Sequence, residues 1–393
     1  MKSYDADVIV AGRGLVGVAA ALGLAQQGLR VLNIAPAVPA SAEVETTPWD
    51  RRVYALSAAT LELLQRLRVR PLLQPNRVAP VRAMEISGDQ GGRLTLSAYE
   101  AGLEQLASIV EARHLQQVLD SGCQVFPGLH SVVGRPSVCQ DDGSRVRLTT
   151  EEGMTYQARL VIAADGANSP LRTSLGMTAK THDYAQRGVV THFVTQRPHQ
   201  GTAFQWFLPQ GILALLPMPE PDLVSMVYSL AEDEAQTLMA ADPGELSAQV
   251  TRLSQNRLGT LQATDAPLAF PLRYLSSDRL IAPRVAFVGD AAHLMHPLAG
   301  QGLNAGLGDV AALLAIVSSA QTLGRDIGST QLLRAYERSR AESLCLMLKT
   351  TDTLQRLFAQ PAAPWKRLRN WGMNAVNRLP VVKKTLVAYA SGS

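Results

Sequence analysis

Three patches of this sequence combine residue types and spacings that could do chemistry. Residues 12–17 read GRGLVG, with Gly12, Gly14 and Gly17 in the register GxGxxG. The first glycine permits a tight turn, the second lets backbone approach a diphosphate, and the third lets a helix pack closely on its strand. Phosphate oxygens would then meet the positive end of that helix. Residues 160–172 read LVIAADGANSPLR, an apolar run delivering Asp165 and Gly166, with Ser169 and Arg172 spaced along the turn beyond. Residues 288–304 read VGDAAHLMHPLAGQGLN, where a second apolar run ends at Asp290 and a loop with Pro297, Gly300 and Gly302 leads to Leu303 and Asn304. Taken singly, each has a plainer reading: an Asp-Gly turn after a strand is common, and Asp290 could cap a helix. In this order along one chain they are far more specific. His293 and His296 could share a helix face, but no third ligand stands in a recognisable arrangement and no metal is expected. There is no GxSxG elbow and no CxxC pair.

The elements that must position these residues can be read from apolar periodicity. Val8 to Ala11 reads as a short buried strand, Leu15 to Gln27 as a helix ended by Gly28, and Arg30 to Ala35 as a second strand. Strand, glycine turn, helix, strand is a parallel βαβ unit with a right-handed crossover. An acid for ribose hydroxyls should end the second strand roughly 20 residues on. Ala35 stands there instead, with Glu43 and Glu45 in the loop from Pro36 to Pro48. Helical spacing recurs at Leu56–Leu67 and Val110–Leu119, and short strands are expected across Val81–Leu96, Gln124–Phe126, Arg145–Thr149 and Leu160–Ala164. From about 181 to 277 the sequence predicts an antiparallel sheet, including Gln205–Leu208, Ile212–Leu216 and Leu223–Leu230. Val285–Val288 is another buried strand, with helices beyond it to about residue 358.

Together the three patches resemble those of the class A flavoprotein aromatic hydroxylases, whose FAD domain carries GxGxxG, then DGxxSxxR, then GDAAHxxxPxxGxGxN. Further blocks are similar to the ubiquinone-biosynthesis hydroxylase subfamily. Residues 49–56, WDRRVYAL, look like its DxRxxAL signature, and Val110 to Gln116, with Arg113 and Gln116, look like its next block. The tail around Asn377–Pro380 and Ala390–Gly392 looks like its C-terminus. Without those flanking patterns, Arg52 and Arg113 would read equally well as surface salt-bridge residues.

The resemblance implies an α/β fold: a glutathione-reductase-type Rossmann FAD domain with an inserted, mostly antiparallel β substrate domain and a helical C-terminus. The expected boundaries are 1–74, 99–180 and 278–360 for the FAD domain, 75–98 and 181–277 for the substrate domain, and 361–393 for a basic amphipathic tail. It implies FAD held by Gly12, Gly14, Gly17, Arg52, Arg113, Gln116, Asp165, Arg172, Asp290, Leu303 and Asn304, with Pro297, Gly300 and Gly302 beside the isoalloxazine. NAD(P)H would reduce the flavin transiently, O2 would be trapped as a flavin hydroperoxide, and one oxygen would pass to the ring of a polyprenylated phenol. The protein's part is orientation and exclusion of water, so no acid/base pair need be visible. Phe204, Trp206, Phe207 and Leu215 could line the substrate pocket or form ordinary sheet core. Two alternatives stay open: a flavin hydroxylase of another aromatic metabolite, and a weakly catalytic scaffold of a quinone-biosynthesis assembly, which only Ala35 supports. A homo-oligomer is compatible with the family, and nucleic acid is not expected.

Composition narrows the setting. The 393 residues are 47% hydrophobic and 18% charged, which excludes global disorder and is enough for one large or two moderate cores. Three cysteines make no disulfide framework, so a reducing cytoplasm is the expected compartment. Asp5 and Asp7 argue against a signal peptide, and the apolar stretches fall short of the ~18 residues of a membrane-spanning helix. The net charge of +4 is unevenly placed: residues 361–393 hold six of the 37 basic residues and none of the 33 acidic ones, leaving −2 on the remainder. Trp365, Leu368, Trp371, Ala375 and Leu379 can share one side of a helix there. That side could lie on an anionic membrane at the inner face, or dock on the protein's own FAD domain.

Overall fold

The computed structural model describes residues 5–37, 49–296, 300–359, 363–379, 382–384 and 387. The expected loop residues Glu43 and Glu45, the flavin-side Pro297 and the residues of 390–392 lie outside these, as do the side chains of 354–369. Six strands form the first sheet, in the order Ile281–Ala282, Val285–Phe287, Leu160–Ala163, Val8–Ala11, Val31–Ala35, Leu129–Val133. All its pairings are parallel except the short edge pair 281–282 with 285–286. Its central strands are buried on both faces, which is why they read as unbroken apolar runs. Val8 and Val10 face a core shared with the helices Leu15–Gln26 and Gln301–Thr322, while Ile9 and Ala11 face one shared with the small antiparallel sheet 136–158.

The second sheet has nine strands. Its path runs His293–Leu294, Leu268–Ser277, Ala179–Thr195, Leu223–Ala231, Gly211–Pro217, Thr202–Leu208, Ala83–Ser87, Arg93–Ser97, with Leu261–Ala263 pairing 193–195 off that path. It is antiparallel except where Thr202–Leu208 meets Ala83–Ser87. A three-stranded sheet, Val53–Leu56, Ala107–Glu111 and Val78–Val81, contributes to an apolar cluster that also takes in Ala203, Met218 and Leu223 of the nine-strand region.

Three expectations need correction. Val110 and Glu111 end a strand paired with 53–56, and the helix begins only at Ala112 and runs to Gln124. The strand expected at 124–126 is therefore the end of that helix and a turn, and the next strand starts at Leu129. Within 181–277, two helices, Glu232–Ala240 and Pro243–Leu253, cover one face of the nine-stranded sheet. Among the described residues only the helix Gln301–Thr322 is long and apolar enough to cross a membrane, longer than the apolar stretches suggested. Half of its most apolar window is buried in the protein, with Val310, Leu313 and Val317 in the core.

Candidate active site

The glycine turn is dictated by contact. Gly12 has φ +118°, and a Cβ there would stand 2.1 Å from the Ala164 carbonyl oxygen; one on Gly17 would stand 2.5 Å from that of Gly12. Around Gly14, by contrast, a Cβ would meet nothing within 4 Å. Gly14 caps the helix Leu15–Gln26 without any side-chain hydrogen bond, so the first N–H groups of that helix are left for a ligand. A residue that sequence reasoning passed over holds this turn. Asn33, buried in the second strand, donates through Nδ2 to the carbonyls of Val10 (3.0 Å) and Gly12 (2.8 Å). Ala35 is the last residue of that strand and is buried, so no carboxylate stands at its end.

Asp165 and Asp290 follow adjacent parallel strands. Asp165 Oδ2 accepts from Ser169 Oγ at 2.8 Å and Leu171 N at 3.2 Å, while its buried Oδ1 has no protein partner. Burial pushes its carboxyl above the usual range against those hydrogen bonds. Arg172 ties the two patches together, donating to the carbonyls of Ala291 (2.8 Å) and Ala167 (2.7 Å). Asp290 is exposed to solvent. Desolvation raises its carboxyl, opposed by His293. Tyr54 lies within the fields of Arg52, Asp290 and Asp50, although burial is the main cause raising its phenol. The WDRRVYAL block therefore meets the GD patch.

Asp50 organises the arginines. Its Oδ1 accepts from Arg52 N (3.0 Å) and its Oδ2 from Arg113 N (2.9 Å), while its own N–H donates to Glu111 at 2.6 Å. Gln116 reaches the glycine turn indirectly, donating to Asp120, which pairs with Arg13 at 3.3 Å. Gly300, at φ +61°, begins the helix Gln301–Thr322 without a side-chain cap, and a Cβ on it would stand 3.6 Å from Ala55 Cβ. A Cβ on Gly302 would meet nothing. Leu303 packs partly buried on the core. The Asn304 side chain is engaged with protein: Oδ1 accepts from Ser57 N (3.0 Å) and Thr60 Oγ1 (2.8 Å), and Nδ2 donates to the Ala55 carbonyl at 2.8 Å. It fixes the helix start against the WDRRVYAL block.

Beneath Asp290 lies a buried ionic cluster that no local pattern announced. Asp309, 0% exposed, accepts from Gly289 N at 3.0 Å, lies 2.6 Å from His293 Nε2 and pairs with Arg340 Nε at 2.7 Å. Burial alone would raise its carboxyl, but His293, Arg340 and the Gly289 amide outweigh it and hold it below the ordinary range. His296 Nε2 instead meets Gln186 Oε1 at 3.2 Å, so the two histidines have different partners. Among the described residues no group of His, Cys, Asp and Glu could hold a metal.

Strand alternation settles the aromatic residues. Phe204, Trp206 and Leu215 belong to the core under the helices Glu232–Ala240 and Pro243–Leu253, so for them the sheet-core reading holds. The intervening Ala203, Gln205 and Phe207 point to the opposite face, as do Leu216 and Leu223; Ala203, Leu216 and Leu223 share a cluster with Ala55. On that face His192 and Ser225 are paired in register and buried. His192 Nε2 meets the Asp50 carbonyl at 3.0 Å, whereas His192 Nδ1 and Ser225 Oγ have no protein partner.

The donor set fits an FAD: a cradle that a Cβ would fill, two uncapped helix starts, and a buried carboxylate oxygen without a partner. Residues 5–350 match the FAD binding domain family, and the chain belongs to it. Over its whole length it is 32% identical to the 3-demethoxyubiquinol 3-hydroxylase of Escherichia coli, covering all of both chains. It is 34% identical to the ubiquinone hydroxylase UbiL of Rhodospirillum rubrum, over 99% of this chain and 90% of that one. The fold is that of p-nitrophenol 4-monooxygenase PnpA from Pseudomonas putida, with TM-score 0.76 at 18% identity over 98% of this chain and 97% of that one.

Proposed function

We propose that this chain is an FAD-dependent monooxygenase that hydroxylates the aromatic ring of a polyprenylated phenol in ubiquinone biosynthesis, with NAD(P)H as transient electron donor. The observation that carries it is the junction of Gly300 and Asn304 with Ala55. There the flavin-side loop meets the block that resembles the quinone hydroxylases, in a chain similar end to end to enzymes bearing that name. Gly12, Gly14, Gly17, Arg52, Arg113, Gln116, Asp165, Arg172 and Asp290 would hold the FAD, and Pro297 with Gly300 to Asn304 would flank its ring. When bound, FAD supplies the activation of O2. The residues of this chain bind and orient: Asp50 and Asn304 fix the backbone on which the site rests, and the apolar cluster around Ala55 excludes water. We read 1–74, 99–180 and 278–360 as the cofactor unit, and 75–98 with 181–277 as the unit that closes over substrate. A groove of about 680 Å³, lined by Trp49, Met218, His199 and five prolines together with Arg77, Arg82 and Glu220, is of the size of small-molecule sites. A lipid-soluble substrate also calls for a peripheral membrane route or a quinone-biosynthesis complex.

The test is mass spectrometry of quinone intermediates in a deletion strain, together with the flavin absorbance of the purified protein. A prenylated phenol lacking one hydroxyl should accumulate. A protein without flavin and an unchanged quinone pool would refute the reading.

A further inference from the structure

The helix Ala363–Asn377 packs along Arg93–Ser97, the edge strand of the nine-stranded sheet. An edge strand leaves N–H groups unpaired, and here asparagines on one face of the helix take them. Asn370 Oδ1 accepts from Gly92 N at 2.7 Å and Gln90 N at 3.3 Å, Asn374 Oδ1 from Arg93 N at 2.9 Å, and Asn377 Oδ1 from Thr95 N at 3.0 Å. Asn370 also donates to Asp89 at 2.8 Å. Gly88 and Gly92 admit it, since a Cβ on either would stand 2.2 or 2.5 Å from its Oδ1. At 100° per residue, positions 370, 374 and 377 share one side, so these bonds fix the rotation of the helix.

Among the described side chains, positions 372, 375 and 379 then fall on the opposite side, with 371 at its border. Trp371 is 70% exposed and Leu379 52% exposed, so Trp371 does not dock on the FAD domain. Lys383 Nζ pairs with Glu100 at 2.6 Å, and the residues next to that pair in sequence, Val382 on one side and Tyr99 on the other, are exposed, as is Leu103. Apolar side chains thus line this edge of the protein, in a segment with six basic residues and no acidic one. Of the nearby acids, Asp89 and Glu100 are bonded to Asn370 and Lys383, while Glu104 after Leu103 is exposed.

We propose that this edge seats on an anionic lipid surface, with the asparagine face clamped to the sheet and the apolar side of the helix entering the headgroup region. The six basic residues of this segment, with the described Arg378 and Lys384 among them, match a negatively charged bilayer in charge, and the clamp presents the outward face without unfolding the helix. The proposal gives the lipid-substrate reading its route, but its test is independent of turnover. Full-length holoprotein is sedimented with vesicles of phosphatidylcholine alone or mixed with phosphatidylglycerol. We expect at least tenfold tighter binding to the mixed vesicles, weakened by salt, and at least a tenfold loss in Trp371→Glu/Leu379→Glu. Arg378→Gln/Lys384→Gln, which leaves the clamp and the apolar side intact, should lose mainly the preference for anionic vesicles. Flavin content and turnover of a soluble short-chain phenol should be unchanged in both variants. Absence of binding to mixed vesicles, wild-type binding by the Trp371/Leu379 variant, or capture of a protein partner by a surface that ignores vesicles would each overturn it.

Discussion

Asp309→Asn tests whether the GD patch is positioned by charge buried behind it. The carboxylate is fully buried and serves three donors: the Gly289 amide, His293 and Arg340. The amide that replaces it can accept at one oxygen but turns N–H donors toward either Arg340 or the Gly289 and His293 side. Arg340 is left with neutral acceptors only, Ala305 O and Ser343 Oγ, both at 3.1 Å. Removing one member of a buried ion pair costs about 3–5 kcal/mol. With an unfolding entropy of about 2.1 cal/mol/K per residue, a chain of this length unfolding as one unit would lose about 4–6 °C of melting temperature. Adding Arg340→Met removes the stranded guanidinium, and the remaining oxygen can still serve Gly289 or His293, so the double variant should recover at least about half of the loss. Thermal unfolding of the apoprotein gives the four corners of this cycle. FAD titration of the same four proteins should show weaker binding in Asp309→Asn, because the Gly289 amide precedes Asp290. A single-variant cost below about 1 kcal/mol, or losses that simply add, would show that the cluster does not hold the turn.

Three further outcomes follow from the same geometry. Burial lowers the His296 imidazole from 6.5 to about 4, so the folded state resists protonation. Its contribution is complete above pH 6.5 and declines as pH falls toward 4, by up to about 3 kcal/mol. The difference between the denaturant stabilities of wild type and His296→Asn should therefore shrink across that window, and parallel pH profiles would contradict the assignment. Asp290→Ala should lower FAD affinity by about tenfold or more, the scale of losing one charged hydrogen bond; full flavin occupancy after dialysis would remove Asp290 from the site. Ala35→Glu places an acid at the end of the second strand, the position that serves the ribose in dinucleotide-binding folds, and should tighten FAD by about 1–2 kcal/mol, read by apoprotein reconstitution. Unchanged affinity would show that another group already serves the ribose.

The parts of the site legible in the sequence are those enforced locally. Gly12 and Gly17 are required by contacts at the end of one strand, and the Asp165 and Asp290 patches announce themselves because each follows a fully buried strand. What could not be read depends on partners far apart in sequence. Asn33 is unremarkable until it is placed between Val10 and Gly12, and nothing near Asp309 indicates that Arg340 completes it. The helices Glu232–Ala240 and Pro243–Leu253 are a different kind of miss. Three acids open the first, and Asp242 with Pro243 is an N-cap signal, but the alternation on either side of them has the period of strands. For Phe204 to Phe207 the alternation is visible in the sequence, yet which face is core is set by the helices that cover it.

The terminal segment shows why an amphipathic pattern does not tell inside from outside. Apolar positions opposite polar ones usually mean that the apolar side is buried, and on that rule Trp371 should be covered. The neighbouring element here is a sheet edge, whose unmet need is acceptors for N–H groups rather than apolar contact. Three asparagines at positions 370, 374 and 377 satisfy that need, so the polar face turns inward and the apolar side outward. The positive charge of the protein is concentrated in this same segment, while residues 1–360 carry −2. Charge and apolar surface are thus gathered where they can act together on a bilayer.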